Sequence, residues 1–510
     1  MSKSLPERPD MGQLKKQAKD LLTAVRAGKP EALTRIGKED PKGFALHDAQ
    51  LVLAREHGFP SWTKLKIHVD TSDESAAEAS LFESALEGRK RRLALIQVAH
   101  PSLRDRSIYA AAVLGDAKAV LSWLEKDPSL ATAKGGPRSW EPIIYACFAQ
   151  EGAGDLSRAE VARLLLRNGA DANSWRGDPF WPKAKETVLY GATGVNNYPE
   201  LARVLLKAGA NPNDGESRYH SPEKNHVESL GVLAEFGTDF SRVDGEWGNT
   251  PLYFLLGHYP VPPVVLAGIT WLLEHGANPN IAAYPKRQRE VPLHIAVRNR
   301  SGPEIVSLFL SHGADPTIRN ALGQTPYALA VRGGQPDVAR LLAEKGGAQE
   351  LSPLDEFIGA CMRADEAAAR SRLAREPGLV ASMKSPDLML VHQAAREGLA
   401  ATLRLMGTLG VDLGIRGDAG DTALHQAGHC GRADAMRVLI GQGADVNAQE
   451  NTYKATPLGW VSHGSLHNKA PGGAYPEAAR VLLAAGAVLK DDEVASPEVM
   501  EVFKEYRSSR

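Results

Sequence analysis

TALHQAGHCGRADAMRVLIGQGADVNA, residues 422–448, decides how the rest of the chain reads. Thr422 suits a helix N-cap, where its hydroxyl accepts from a backbone N–H that the helix itself leaves unpaired. The run after it is short and rich in alanine, so neighbouring helices can approach closely. A second run ends in the apolar stretch Val438-Leu439-Ile440, and the same run elsewhere, AEVARLLL (159–166) and PDVARLLA (336–343), carries its Leu/Val stripe at helical spacing. Gly443 then stops that helix in the left-handed conformation that a Cβ would penalise. Asp445 and Asn447 turn the chain into an extended finger. One such unit cannot cover its own apolar face, so units of this kind have to stack.

Both halves of the phrase recur. The ending appears as LLLRNGADANS (164–174), VLLKAGANPND (204–214), WLLEHGANPN (271–280), LFLSHGADPT (308–317) and VLLAAGAVLK (481–490). The opening appears as TPLYFLLG (250–257), VPLHIAVRNR (291–300), TPYALAVRGG (325–334) and TPLGWVSHG (456–464). Proline beside the capping position fits the first helical turn, where its missing donor costs nothing. The glycines Gly169, Gly209, Gly237, Gly276, Gly313, Gly346, Gly410, Gly443 and Gly486 follow one another at roughly constant spacing. The one wide gap, Gly346 to Gly410, spans about two periods and holds a degenerate unit. In phase, the two phrases resemble the ankyrin repeat. The resemblance implies an all-α solenoid of helix–turn–helix units with finger loops. It is expected over residues 81–490 in about eleven units, several of them degenerate, with residues 491–510 as a polar cap helix.

Residues 1–70 read differently. LKKQAKDLLTAVRAG (14–28) is an amphipathic helix, and LHDAQLVLAREHGFPSWTKLKIHV (46–69) is two helices around a Pro60-Ser61-Trp62 turn. The segment resembles a helical module found ahead of the repeats in some bacterial ankyrin-repeat proteins. It is expected to be a docking or capping element with Phe59 and Trp62 in its core. The polar stretch 71–80 is the expected linker.

Among 510 residues, Lys+Arg is 60 and Asp+Glu is 61, so bulk charge disfavours nucleic acid and membrane surfaces as partners. No run of 18 apolar residues occurs, and the N-terminus is charged where a secretory signal would be apolar. The three scattered cysteines, Cys147, Cys361 and Cys430, fit a reducing compartment, so the expected address is the cytoplasm. No phosphate-binding loop, nucleophile elbow or H-E-x-x-H pattern is present. The primary expectation is therefore a non-catalytic scaffold for a protein or peptide partner, with no cofactor.

Repeat phase picks the contact candidates. Seven residues after the capping position stand Arg298, Arg332, Arg396, His429 and His463, with Met362 in the degenerate unit. The resemblance implies that this position faces the concave groove. The result would be a basic ladder suited to a carboxylate-rich peptide or a phosphate. Trp140, Trp175, Phe180, Trp181 and Trp247 fall in or near the fingers, which the same resemblance makes groove-lining. The enlarged finger 174–186 has the alternative of folding its aromatics inward.

Two units break the pattern with polar residues. GATGVNNYPE (191–200) carries Asn196 and Asn197. ESRYHSPEKNHVESL (216–230) places Tyr219, His220 and Glu223 where a short Ala-rich helix is expected. A pocket bounded by Asn196, Tyr219, His220 and Trp247 is the alternative small-ligand or enzyme site, with His220 and Glu223 for acid/base chemistry. A metal site is a further alternative, because His425/His429 and His463/His467 are i, i+4 pairs near Cys430. Against it, the resemblance makes His425 a structural histidine.

Overall fold

Nine glycines end nine helices in the left-handed region: Gly169, Gly209, Gly237, Gly276, Gly313, Gly346, Gly410, Gly443 and Gly486 all have φ between 80° and 96°. At the other end of the units, Thr250, Thr325 and Thr456 accept from Tyr253, Ala328 and Gly459 N–H at 3.2–3.3 Å. These local choices repeat a helix–turn–helix unit along an all-α chain. The computed structural model describes every residue except 1–4, 7–8, 38–42, 72, 178–184, 244–247, 259–260, 284–288 and 510. The chain divides into two compact units, Met1–Asn278 and Pro279–Arg510.

In the first unit, helices Met11–Arg26, Pro30–Ile36, Leu46–Glu56 and Trp62–Asp70 come first. They bury Leu21, Val25 and Leu53 in one cluster and Leu14, Leu65 and Val69 in another, with Phe59 and Trp62 packed alongside. Helix pairs follow: Ile108–Leu114 with Ala117–Lys126, Pro142–Phe148 with Asp155–Arg167, Ser217–Glu223 with Val227–Glu235, and Pro251–Leu255 with Pro263–Glu274. Between the second and third of these, Val188–Tyr190 continues as a wide turn, Gly191–Val195, and pairs with Pro199–Lys207. The finger before it is a hairpin in which Trp175–Gly177 lies antiparallel to Lys185–Thr187. Arg158 is fully buried and donates to the carbonyls of Ala146 (2.9 Å), Glu151 (2.6 Å) and Ala153 (3.0 Å). It thereby satisfies carbonyls left open where helix Pro142–Phe148 ends.

In the second unit, six first helices stand in series: Pro292–Arg298, Pro326–Arg332, Pro353–Met362, Ser385–Glu397, Ala423–His429 and Pro457–His463. The wide glycine gap holds two helix pairs. Three histidines tie units together. His294 Nε2 donates to Gln324 O (3.0 Å), His392 Nε2 to Ile415 O (2.9 Å) and His425 Nε2 to Ala455 O (3.2 Å). Burial pulls His294 down to about 4 and also lowers His425, so both rings act as neutral donors. The last helix, Pro497–Ser508, lays Val499, Val502 and Phe503 on the end of the apolar core. Each aliphatic side chain buried this way contributes about 1.5–3 kcal/mol, which is how stacked units hold together without a central core.

Candidate functional site

The aromatic candidates separate by burial. Trp140 is half-buried against Tyr145 and Phe148, with ring centroids 5.2 and 6.5 Å away. Trp175 is 48% exposed, and the Lys185 ammonium lies over its ring at 5.0 Å. Trp175 therefore stands on the outside of the finger hairpin. Phe180, Trp181 and Trp247 lie outside the described residues.

The polar candidates of the deviant units hold the fold. Buried Asn196 donates to Cys147 O (3.1 Å) and Gly191 O (3.0 Å), closing the wide turn. Asn197 accepts from Ser229 N–H (3.1 Å) and donates to Glu228. Tyr219 is buried, and its hydroxyl donates to Asn249 O at 2.7 Å. The structure gives Asn196 and Tyr219 backbone partners rather than a cavity. His220 lies between two carboxylates, with Nδ1 at 2.6 Å from Glu223 Oε2 and Nε2 at 3.2 Å from Glu216 Oε2. Burial pulls its pKa down, but the hydrogen bonds to Glu216 and Glu223 carry it up to about 9. At neutral pH it is an imidazolium, which cannot act as a general base.

In the second unit two of the five ladder positions are neutralised from within. Arg298 is exposed and pairs with Glu290 Oε2 at 3.0 Å. Arg332 is only 5% exposed; it meets Asp355 Oδ1 at 2.6 Å and also Asp387. Repeat phase picks out its position but says nothing of the acids that face it. Arg396 is exposed. His429 and His463 stack with centroids 5.7 Å apart and planes at 22°, and His467 follows at 4.7 Å from His463. Among the described residues, no hydrogen bond or ion pair engages the rings of these three histidines. Burial, and then the charges of His463 and Arg396, lower His429. With both ring nitrogens of His425 engaged, by Thr422 N–H (3.1 Å) and Ala455 O (3.2 Å), that residue leaves the metal alternative. Among the described residues no three His, Cys, Asp or Glu groups converge as metal ligands.

One element alters the groove. Helix Ser385–Glu397 has 13 residues, against 7 in Pro292–Arg298, Pro326–Arg332 and Ala423–His429. Its ends reach back beyond the adjacent unit: Asp387 to Arg332, and Glu397 Oε2 to Arg300 Nε at 3.1 Å. Between these two ion pairs opens a cleft of about 600 Å³. Its walls include Asn299, Gln324, Gln393 and Gln426, the ladder residues Arg298, Arg332 and Arg396, and an apolar part to which Leu322, Leu329, Met389 and Leu390 belong. Amide side chains of this kind can donate to and accept from a peptide backbone at once. The sequence signal for this site was the missing capping threonine before LMLVHQAAREG, which hid the helix's two extra turns.

Comparison with known families fits this geometry. Residues 266–352 match a model of three ankyrin repeats, and residues 419–451 match a single ankyrin repeat. The chain carries ankyrin repeats. Similar curated proteins include human ankyrin repeat and SOCS box protein 16, 28% identical over 34% of this chain and 39% of that protein. They also include the NF-kappa-B inhibitor cactus of Drosophila melanogaster, 26% identical over 30% of this chain and 23% of its own length. The B-cell lymphoma 3 protein homolog of Mus musculus is 31% identical over 36% of this chain and 37% of its own. The chain thus matches well under half of each relative's length. These relatives are eukaryotic. Among the described residues, no helix of this ankyrin-repeat chain is long and apolar enough to cross a membrane.

Proposed function

We propose that this chain is a non-catalytic ankyrin scaffold that binds an extended segment of a protein partner in the cleft beside helix Ser385–Glu397. The observation that carries the reading is the pair of ion bridges, Arg332–Asp387 and Arg300–Glu397, that span non-adjacent units and bracket an amide-lined cleft. A regular stack touches only its neighbours. A helix that skips a unit makes a bounded site out of an open face. The relative named as an inhibitor of NF-kappa-B supports a role exerted on another protein.

The acidic character of the partner rests on the imidazole row. Arg298 and Arg332 already carry their own acids, whereas His429, His463 and His467 offer ring N–H groups to a carboxylate. The three cysteines are buried free thiols, which supports a reducing, cytoplasmic address. The N-terminal helices are proposed as a docking or capping element.

A photo-reactive benzoylphenylalanine at Gln393 tests the reading, with the same residue at Glu304 on a second helix as control. In extract of the native cell, a discrete adduct is expected from the cleft position and none from the control. Equal adducts from both positions, or none from Gln393, would sink the cleft as the binding site.

A further inference from the structure

Helix Lys90–Ala99 of the first unit opens on Lys90, Arg91 and Arg92, with Arg89 just before it. Cations at the start of a helix break a local rule, because the backbone dipole is positive there and favours acids. No acid stands in this first turn, and no side chain caps it. Helix Trp62–Asp70 packs against it and brings Lys66. Between the two helices lies a cavity of about 550 Å³, whose wall includes Trp62, Ile67, Lys66 and all four basic residues of the run. Among the described residues, no carboxylate lines it.

The charges can be followed side chain by side chain. Arg89 meets Glu83 at 2.9 Å and Glu87 at 2.5 Å, and Arg92 meets Asp70 at 3.0 Å. Glu74 and Glu78, the other acids of helix Glu74–Leu86, turn to Arg106. The neighbouring acids are therefore engaged. Lys66, Lys90 and Arg91 have no ion pair and no side-chain hydrogen bond among the described residues. Lys90 and Arg91 are exposed, and Lys66 is half-buried. Nε of Arg92 is buried without a partner. Three unpaired cations, from two helices, thus border one hollow.

We propose that this cavity binds a phosphate monoester, with Lys66, Lys90 and Arg91 as its counter-charges. Such a group carries about −1.5 to −2 charges at pH 7 and three acceptor oxygens, whereas one carboxylate would leave two of the three cations unmatched. Its oxygens also suit the backbone N–H groups that the first helical turn leaves open. The cavity has the volume of a small-ligand site, not of a polymer track. A long polyanion laid across it would run onto Asp70, Glu83 and Glu87, which stand against two of the lining arginines. That border selects a single phosphate group over a nucleic acid. The site lies in the first compact unit and is separate from the partner cleft of the second.

The test uses the full chain and a fluorescein-labelled peptide of alternating glycine and serine with one central phosphoserine. A second peptide carries serine at that place. At about 0.15 M salt, fluorescence anisotropy is expected to show the phosphopeptide binding at least about tenfold more tightly. Lys90→Gln with Arg91→Gln should erase that difference. Lys15→Gln with Lys16→Gln, the same charge change at exposed positions outside the cavity, should leave it intact. The first double variant removes charges that oppose the helix dipole, so its melting temperature should not fall. If it does not fold by circular dichroism, Lys66→Gln is read in its place. Inorganic phosphate, titrated as competitor, separates two sources of the same chemistry. Equal affinity assigns the site to free phosphate, and tighter binding of the phosphopeptide assigns it to a phosphorylated side chain. Equal binding of the two peptides overturns the proposal. So does a difference that survives K90Q/R91Q or is lost equally in K15Q/K16Q. A short DNA duplex that binds more tightly than the phosphopeptide, and is released by K90Q/R91Q, would overturn it in favour of a nucleic acid.

Discussion

Half-buried His220 and fully buried Arg158 are both cations, and they differ in what holds them. His220 has carboxylates on both ring nitrogens, and its folded-state pKa of about 9 lies above the ordinary histidine value. A raised folded pKa means that its stabilisation is complete below about pH 6.5 and is lost as pH rises toward 9. The melting temperature should therefore fall between pH 6.5 and 9.5, and His220→Gln should flatten that part of the curve. A direct check is the proton NMR titration of the His220 ring; a midpoint near 6.5 would contradict the clamped geometry. Arg158 has carbonyls and no acid, and burial lowers its pKa. Arg158→Met strands at least three carbonyls in a water-free site. At about 1–3 kcal/mol for each stranded group, partly relieved by relaxation, the expected loss is roughly 2–4 kcal/mol in urea unfolding. A loss below half of the lower figure would mean that water reaches those carbonyls.

Helices differ in how openly the sequence announces them. The nine glycines and the Thr-Pro caps act on the backbone of their own residues, so a local reading of them finds the repeat, its phase and its all-α class. Helix Ser385–Glu397 has no Thr-Pro cap at the repeat position; it starts earlier, at Ser385-Pro386, and ends on left-handed Gly398. Its length depends on Asp387, which caps Lys384 N–H at 2.8 Å and binds Arg332 55 residues earlier. No local pattern reports a partnership over that separation. The ladder was legible as a set of positions and illegible as a set of charges: Asp355 and Asp387, which neutralise Arg332, lie 23 and 55 residues away, and only Glu290, which pairs with Arg298, comes from the same repeat unit. The same holds for Asn196 and Tyr219, whose backbone partners at Cys147 and Asn249 lie 49 and 30 residues away. Asp387→Ala tests the element directly. It leaves buried Arg332 with Asp355 alone and removes a cap, for an expected loss of about 3 kcal/mol. Urea unfolding followed by far-ultraviolet dichroism reads that loss, and a cost under about 1 kcal/mol, the scale of a solvated pair, would show that the bridge does not hold the cleft.

Across the whole chain, stability is a sum of contributions from units and their nearest neighbours, so damage should fade with distance along the array. The three buried thiols report this in place. Cys147 lies on helix Pro142–Phe148, Cys361 on Pro353–Met362, and Cys430 at the end of Ala423–His429. Burial pushes Cys147 and Cys361 up to about 12, so neither reacts with a thiol reagent until its surroundings open. Loss of about 3 kcal/mol by Asp387→Ala corresponds to roughly a hundredfold greater opening where the loss is felt. Cys361 shares its helix with Asp355, the other acid on Arg332, and should label faster by about that factor. Cys147 belongs to the other compact unit and should change by less than about threefold. Mass spectrometry of the labelled peptides measures the three rates together in one sample. If all three cysteines accelerate equally, the chain opens as a single cooperative block, and the additive picture of its repeats fails.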